Sequence, residues 1–185
     1  VWKKYHPNKR VRYVGEFKNG KEVGVFKFYD ISTSTHPVII KTFFETNDSV
    51  SVEFFTLKGK LESKGILIDK KRVGVWQYYF PGGELMSKEN YVEDKLDGEL
   101  LNYYPNGKVT ELSNYKDGLL NGVSKKYSSK GILIEEATYQ NGIQNGVAKY
   151  FELNGNLKET GVYKDGKRIG KWEYYMDGEV ATDAD

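Results

Sequence analysis

An all-β fold, an elongated single-layer array of antiparallel β-hairpins, is predicted by three features of the sequence. Glycines recur at a fixed interval, aromatic and aliphatic residues hold registered columns between them, and turn formers bound every short run of strand formers. Gly74, Gly98, Gly122, Gly146 and Gly170 follow one another every 24 residues. A second series, Gly59, Gly83, Gly107, Gly131 and Gly155, runs nine positions further into each repeat, and a third comprises Gly118, Gly142 and Gly166. With the first glycine as position zero, position five is Tyr79, Tyr103, Tyr127, Phe151 and Tyr175. Position eleven is Leu85, Val109, Leu133 and Leu157, and position seventeen is Tyr91, Tyr115, Tyr139 and Tyr163.

The frame extends to the beginning of the chain. Trp2, Tyr5, Val11, Phe17 and Gly20 occupy positions two, five, eleven, seventeen and twenty of the first repeat. Between Gly24 and Gly74 lie 50 residues, two more than two repeats, with Val50 in the place of a glycine. The Ser/Thr-rich stretch 31–37 is where the two extra residues are expected. The repeats then run 1–23, 24–49, 50–73, 74–97, 98–121, 122–145, 146–169 and a partial 170–185, a single repeat domain over 1–185 without a linker. Because Val1 falls inside a repeat, it reads as a processed or trimmed end.

Within a repeat, a run such as Val75-Trp76-Gln77-Tyr78-Tyr79 is rich in strand formers and is followed by Pro81-Gly82-Gly83. Proline cannot take the positive φ that both central residues of a type I′ turn require. Pro105-Asn106-Gly107 therefore predicts a three-residue loop, a type I turn whose glycine forms a G1 bulge. That loop sets position five opposite position eleven on one face. The return turns carry Asp117-Gly118, Asn141-Gly142 and Asp165-Gly166, and at Asp94 an aspartate stands for the glycine. The expected core is a ladder of positions five, eleven and seventeen, shared between adjacent hairpins because one hairpin alone is marginal in water. Helix is expected to be nearly absent.

Composition removes several functional classes. The chain has no cysteine and only two histidines, His6 and His36, which leaves no thiolate site and little for a metal centre or a histidine triad. No run approaches the ~18 apolar residues of a membrane helix, and no signal-peptide pattern opens the chain. A formal charge of +2 carries no global pull toward nucleic acid. Glu111, Glu135 and Glu159 recur at one repeat position, as a structural column does, and there is no phosphate loop or acid–base–nucleophile cluster. The expectation is a protein that is not an enzyme, with no cofactor and no metal.

The stretch Tyr163-Lys164-Asp165-Gly166-Lys167-Arg168-Ile169-Gly170-Lys171-Trp172-Glu173-Tyr174-Tyr175 resembles a MORN repeat in its bacterial variant form. The pattern recurs as Tyr115-Lys116-Asp117-Gly118 with Gly122, and as Tyr139-Gln140-Asn141-Gly142 with Gly146, so the resemblance spans essentially the whole chain. It implies the hairpin array and an interaction protein. Bacterial variants are often described as antitoxin-like or immunity-like, and eukaryotic members have been credited with phospholipid binding and dimeric scaffolding.

Positions two and four are expected on the face opposite the ladder. Among them Trp2, Trp76, Tyr78, Tyr150, Trp172 and Tyr174 are candidate partner-binding residues, since aromatic side chains there suit contacts with protein or sugar. The alternative is that they cover a concave side or cap the array. Charge is polarised along the chain. Lys3, Lys4, Lys9, Arg10, Arg12, Lys18 and Lys21 oppose only Glu16 in 1–21, while 176–185 hold Asp177, Glu179, Asp183 and Asp185. A protein partner is expected, in an immunity-type inhibitor or an assembly of a bacterial cell envelope or secreted space. Nucleic acid is not expected, and membrane association would be peripheral. Cell-wall or carbohydrate attachment is the rival, with anionic-lipid binding a third possibility.

Overall fold

The computed structural model describes residues 1–33, 35–44 and 48–181. Ser34 in the expected insertion and Asp183 and Asp185 of the acidic end lie outside the described residues. Among the described residues every regular element is a strand and every pairing is antiparallel. The chain divides into two compact units, 1–95 and 96–185.

The first unit holds β1 (Trp2–Tyr5), β2 (Val11–Lys18), β3 (Lys21–Phe28), β4 (Ile39–Phe43), β5 (Ser49–Phe55), β6 (Leu61–Ile68), β7 (Lys71–Tyr79) and β8 (Leu85–Val92), each paired with the next in chain order. The second holds β9 (Lys95–Tyr103, all but its first residue), β10 (Val109–Lys116), β11 (Leu119–Leu120), β12 (Gly122–Tyr127), β13 (Leu133–Gln140), β14 (Ile143–Phe151), β15 (Leu157–Lys164), β16 (Lys167–Met176) and β17 (Glu179–Val180). β10 pairs with both β11 and β12, and the remaining strands pair in order.

Two kinds of turn alternate, as their residues require. In the loop 81–83 the Gly83 N–H donates to the Phe80 carbonyl at 2.8 Å, and the Phe80 N–H donates to the Glu84 carbonyl at 2.8 Å. Gly83 lies at φ 102° and closes the three-residue loop. Lys9, at φ 64°, takes the glycine's place in the first hairpin. The return turns have two left-handed residues in succession, as in Asp117 and Gly118 at 50° and 86°, which is the type I′ geometry. Position five faces position eleven as expected, in Tyr79↔Leu85, Tyr103↔Val109, Tyr127↔Leu133 and Phe151↔Leu157. Where Val50 replaces the glycine, β4 and β5 pair without the bulge seen in other repeats.

The expected core needs correction. Tyr78 faces Ser87 while Tyr79 faces Leu85, so Met86 is an extra residue, a bulge repeated in the other regular hairpins. One inserted residue reverses the alternation of side chains, and position seventeen moves to the face opposite positions five and eleven. Tyr91 there faces Gly74, two residues from Trp76 on the same side. That face is the core. Its centre is position two, with Phe26, Val52, Trp76, Leu100, Ser124 and Ala148 buried, together with Ser113 and Ala137 at position fifteen. Trp76, expected on an exposed face, is only 3 % exposed.

A sheet one layer thick must bury this row with its own side chains. Within each unit, position fifteen of one repeat neighbours position two of the next, eleven residues on, and where position fifteen is small the two sizes are matched, Lys41 beside Val52 being the exception. A Cβ at Gly15, Gly65 or Gly161 would stand inside the rings of Phe26, Trp76 and Trp172 respectively. Ser113 instead meets Ser124, their hydroxyls 2.8 Å apart, and Ala137 faces Ala148.

Candidate interaction face

Two Trp clusters, one in each unit, come from the same local sequence. Arg72 and Arg168 stand four residues before Trp76 and Trp172, and Gly65 and Gly161 eleven before. Strand alternation puts arginine and tryptophan on one face, beside the tyrosines at positions four and seventeen. In the first unit Trp76 lies between Phe54 and Tyr78, with centroids 6.4 Å away on each side, and its Nε1–H donates to the Ile66 carbonyl at 3.1 Å. Arg72 stacks 4.0 Å over the Tyr91 ring and donates to Asp94 Oδ1 at 2.9 Å and to the Tyr78 hydroxyl at 3.2 Å. Burial opposes its charge, but these hydrogen bonds outweigh it and raise the guanidinium pKa. Burial first, then donation to Glu89, pushes the Tyr91 hydroxyl far above the usual tyrosine value.

In the second unit Tyr150 stacks on Trp172 at 6.4 Å, and Tyr163 meets the same indole edge-on at 5.3 Å. Arg168 lies 3.8 Å over Trp172 and holds Glu159 with two bonds of 3.1 and 3.2 Å. It also donates to the Tyr163 hydroxyl at 3.3 Å. Burial and a hydrogen bond with Tyr163 push Tyr150 up to about 12. That hydrogen bond and Arg168 pull Tyr163 below its ordinary value. The Trp172 Nε1–H is buried and has no partner among the described residues, unlike that of Trp76.

Beside this cluster runs a row across six successive pairings: Asn102, Glu111, Lys126, Glu135, Tyr150, Glu159 and Tyr174. The recurrent glutamates are thus spaced by the variable residues of position four. Glu111 accepts from Asn102 at 3.2 Å and from Ser113 at 2.7 Å, while Lys126 bonds both Glu135 oxygens at 3.1 Å. Each carboxylate is therefore held by a neighbour, in a surface suited to hydrogen bonding and stacking.

The structure brings Trp76 and Tyr78 together in the first unit, and Tyr150 with Trp172 in the second, with Tyr174 beside Glu159. Within the first unit Trp2, on β1, lies apart from Trp76 and Tyr78 on β7; it is 66 % exposed, with its ring 6.3 Å from Phe17. Tyr174 is 52 % exposed, and Tyr78, Tyr150 and Trp172 are half-buried. Arg72, Arg168, Gly65 and Gly161 are not among the candidates predicted from the sequence, although their shared spacing before each tryptophan is present in it. Among the described residues no group of histidine, aspartate and glutamate is arranged to hold a metal, and no helix is long and apolar enough to cross a membrane.

Four stretches, 72–93, 96–117, 120–141 and 144–165, match the MORN repeat variant. No curated protein matches the chain.

Proposed function

The chain belongs to the MORN repeat variant family, generally a non-catalytic module of repeat-based binding and scaffolding, and on that premise we propose that it is a non-catalytic protein-binding repeat protein. Its partner meets the aromatic face of the second unit. One observation carries this reading: Tyr150, Trp172 and Tyr174 stand half-buried or exposed beside the ion-paired Arg168 and Glu159, with no second layer over them among the described residues. Aromatic side chains held in place by their neighbours give large contact area at little entropic cost.

An immunity-type inhibitor or a component of a bacterial envelope assembly is the kind of protein this proposal envisages, because both act by contact alone. Quantitative mass spectrometry of what co-purifies with the chain under gentle extraction tests it, comparing the natural chain with Tyr150→Ser and Tyr174→Ser. Loss of a stoichiometric protein from both variants is expected. A chain that emerges alone, or variants that retain the same protein in the same amount, would overturn the reading.

A second reading is attachment to cell-wall carbohydrate, favoured by the stacked pair of Tyr150 and Trp172, whose rings are inclined by 27°. Retention on peptidoglycan, lost in Tyr174→Ser, would support it. Anionic lipid is a third candidate, tested by flotation with vesicles.

A further inference from the structure

The face opposite the core carries its own rows, and one of them differs sharply between the units. In the first unit the row is Lys3, Val14, Lys27, Ile40, Glu53, Lys64, Gln77 and Lys88, continuous over eight strands. In the second unit the same repeat positions hold Leu101, Leu112, Lys125, Glu136, Lys149, Thr160 and Glu173. There Glu136 bridges the flanking lysines, at 3.2 Å to Lys125 and 3.8 Å to Lys149. None of Lys3, Lys27, Lys64 and Lys88 forms an ion pair among the described residues, although Glu53 stands directly opposite Lys64. The imbalance extends to composition. Residues 1–95 hold 17 Lys and Arg against 12 Asp and Glu, and 96–185 hold 11 against 14.

Beside the lysine row, toward the hairpin loops, lies an open cavity of about 580 Å³ lined by Val38, Phe55, Leu57 and Pro81 among others. Leu57 is 54 % exposed at its rim. Phe55 and Val38 are each two residues along their chain segments from row members, Glu53 and Ile40, which stand opposite Lys64 and Lys27, so the hollow, which Lys58, Lys60 and Glu62 also line, is one side-chain step from the row.

We propose that this face of the first unit docks an acidic segment of a protein partner, with carboxylates over Lys27 and Lys64 and an apolar side chain in the cavity beside Leu57. Unneutralised lysines in a row attract an anionic partner and gain by pairing with it, while the cavity selects a ligand that is not anionic alone. The site is separate in residues and in unit from the aromatic face proposed above, so either can fail without the other.

The test is selection of binding peptides from a randomised display library on the full chain, followed by affinity measurement on variants. Selected peptides are expected to be rich in Asp and Glu around an apolar residue, and to bind less tightly as salt rises between about 0.05 and 0.3 M. Lys27→Gln/Lys64→Gln should weaken them about tenfold or more, as should Leu57→Ser, whereas Lys125→Gln/Lys149→Gln in the matching row should change affinity by less than about twofold. These side chains are on the surface, and an unchanged circular dichroism melt establishes that each variant is folded. Selection of peptides without acidic enrichment, or equal weakening by the two lysine pairs, would overturn the proposal. So would failure to select any peptide while phosphatidylserine vesicles bind through the same lysines, which would assign the row to a membrane.

Discussion

The two units solve one packing problem with different side chains. Where the floor of the core row is glycine, a large ring lies flat upon it, as Trp76 does over Gly65 and Phe26 over Gly15. Through the middle of the second unit the floor is Ser113, Ser124, Ala137 and Ala148, all buried, and the bulk is supplied from flanking rows by Tyr139, Tyr150 and Tyr163. The second solution ends at Gly161, where Trp172 restores the first. Volume is conserved across neighbouring rows and not within any one column, which is what close packing demands of a sheet without a second layer.

The sharpest way to break the comparison is to empty the ring site. Trp76→Ala should cost about 3–5 kcal/mol in a denaturant melt, against much less for Ala148→Gly, because only the former leaves a cavity of aromatic size. Filling the floor is next. Gly65→Ala should cost about 1–3 kcal/mol by displacing the Trp76 ring. In Gly65→Ala/Trp76→Ala, which copies the Ala137 and Ala148 pair, the two losses should sum to less than additivity requires, and full additivity would mean that the residues do not share the site.

Backbone comes third. Gly146 lies at φ 125° with Thr138 Cβ 3.0 Å from where its own Cβ would be, so Gly146→Val should cost about 1–2 kcal/mol. Ser124→Ala should cost less, since Ser113 keeps its 2.7 Å bond to Glu111; equal melting temperatures would refute the difference. The tyrosine pair offers a smaller effect, specific to the second unit. Tyr150 is raised to about 12 from an ordinary value of 10.0, so its contribution to stability is complete below pH 10 and is lost as pH rises through 12. Absorbance at alkaline pH should show one tyrosine ionising early and one late in this pair, and Tyr163→Phe should abolish the early step. The smallest effect is a gain: Lys70, at φ 67° in the turn position that Gly20, Gly118, Gly142 and Gly166 fill in other repeats, should yield up to about 1 kcal/mol of stability as Lys70→Gly.

Much of this fold was legible because it is local. A left-handed residue selects glycine, asparagine or aspartate, and a proline two residues before a glycine excludes a type I′ turn, so the loops and the facing of Tyr79 with Leu85 could be read directly. The identity of the core could not. Met86 and its equivalents carry no mark of a bulge, yet that one residue moves Tyr91 to the other face and turns Trp76 from a supposed contact residue into a buried one. Ser113, Ser124, Ala137 and Ala148 look like surface positions in a sequence, because small or polar residues declare nothing about what lies over them.

The sequence by itself determined the 24-residue period, the strands, the turn types and the positive φ of the repeat glycines, since each depends on residues a few positions apart. Only the tertiary structure decided which face is core, which aromatic residues remain available, and that among the described residues the row lysines of one unit form no ion pairs while Lys125 and Lys149 of the other do. Those properties arise between side chains on adjacent strands. Their proximity depends on pairing register, and a single inserted residue is enough to reverse it.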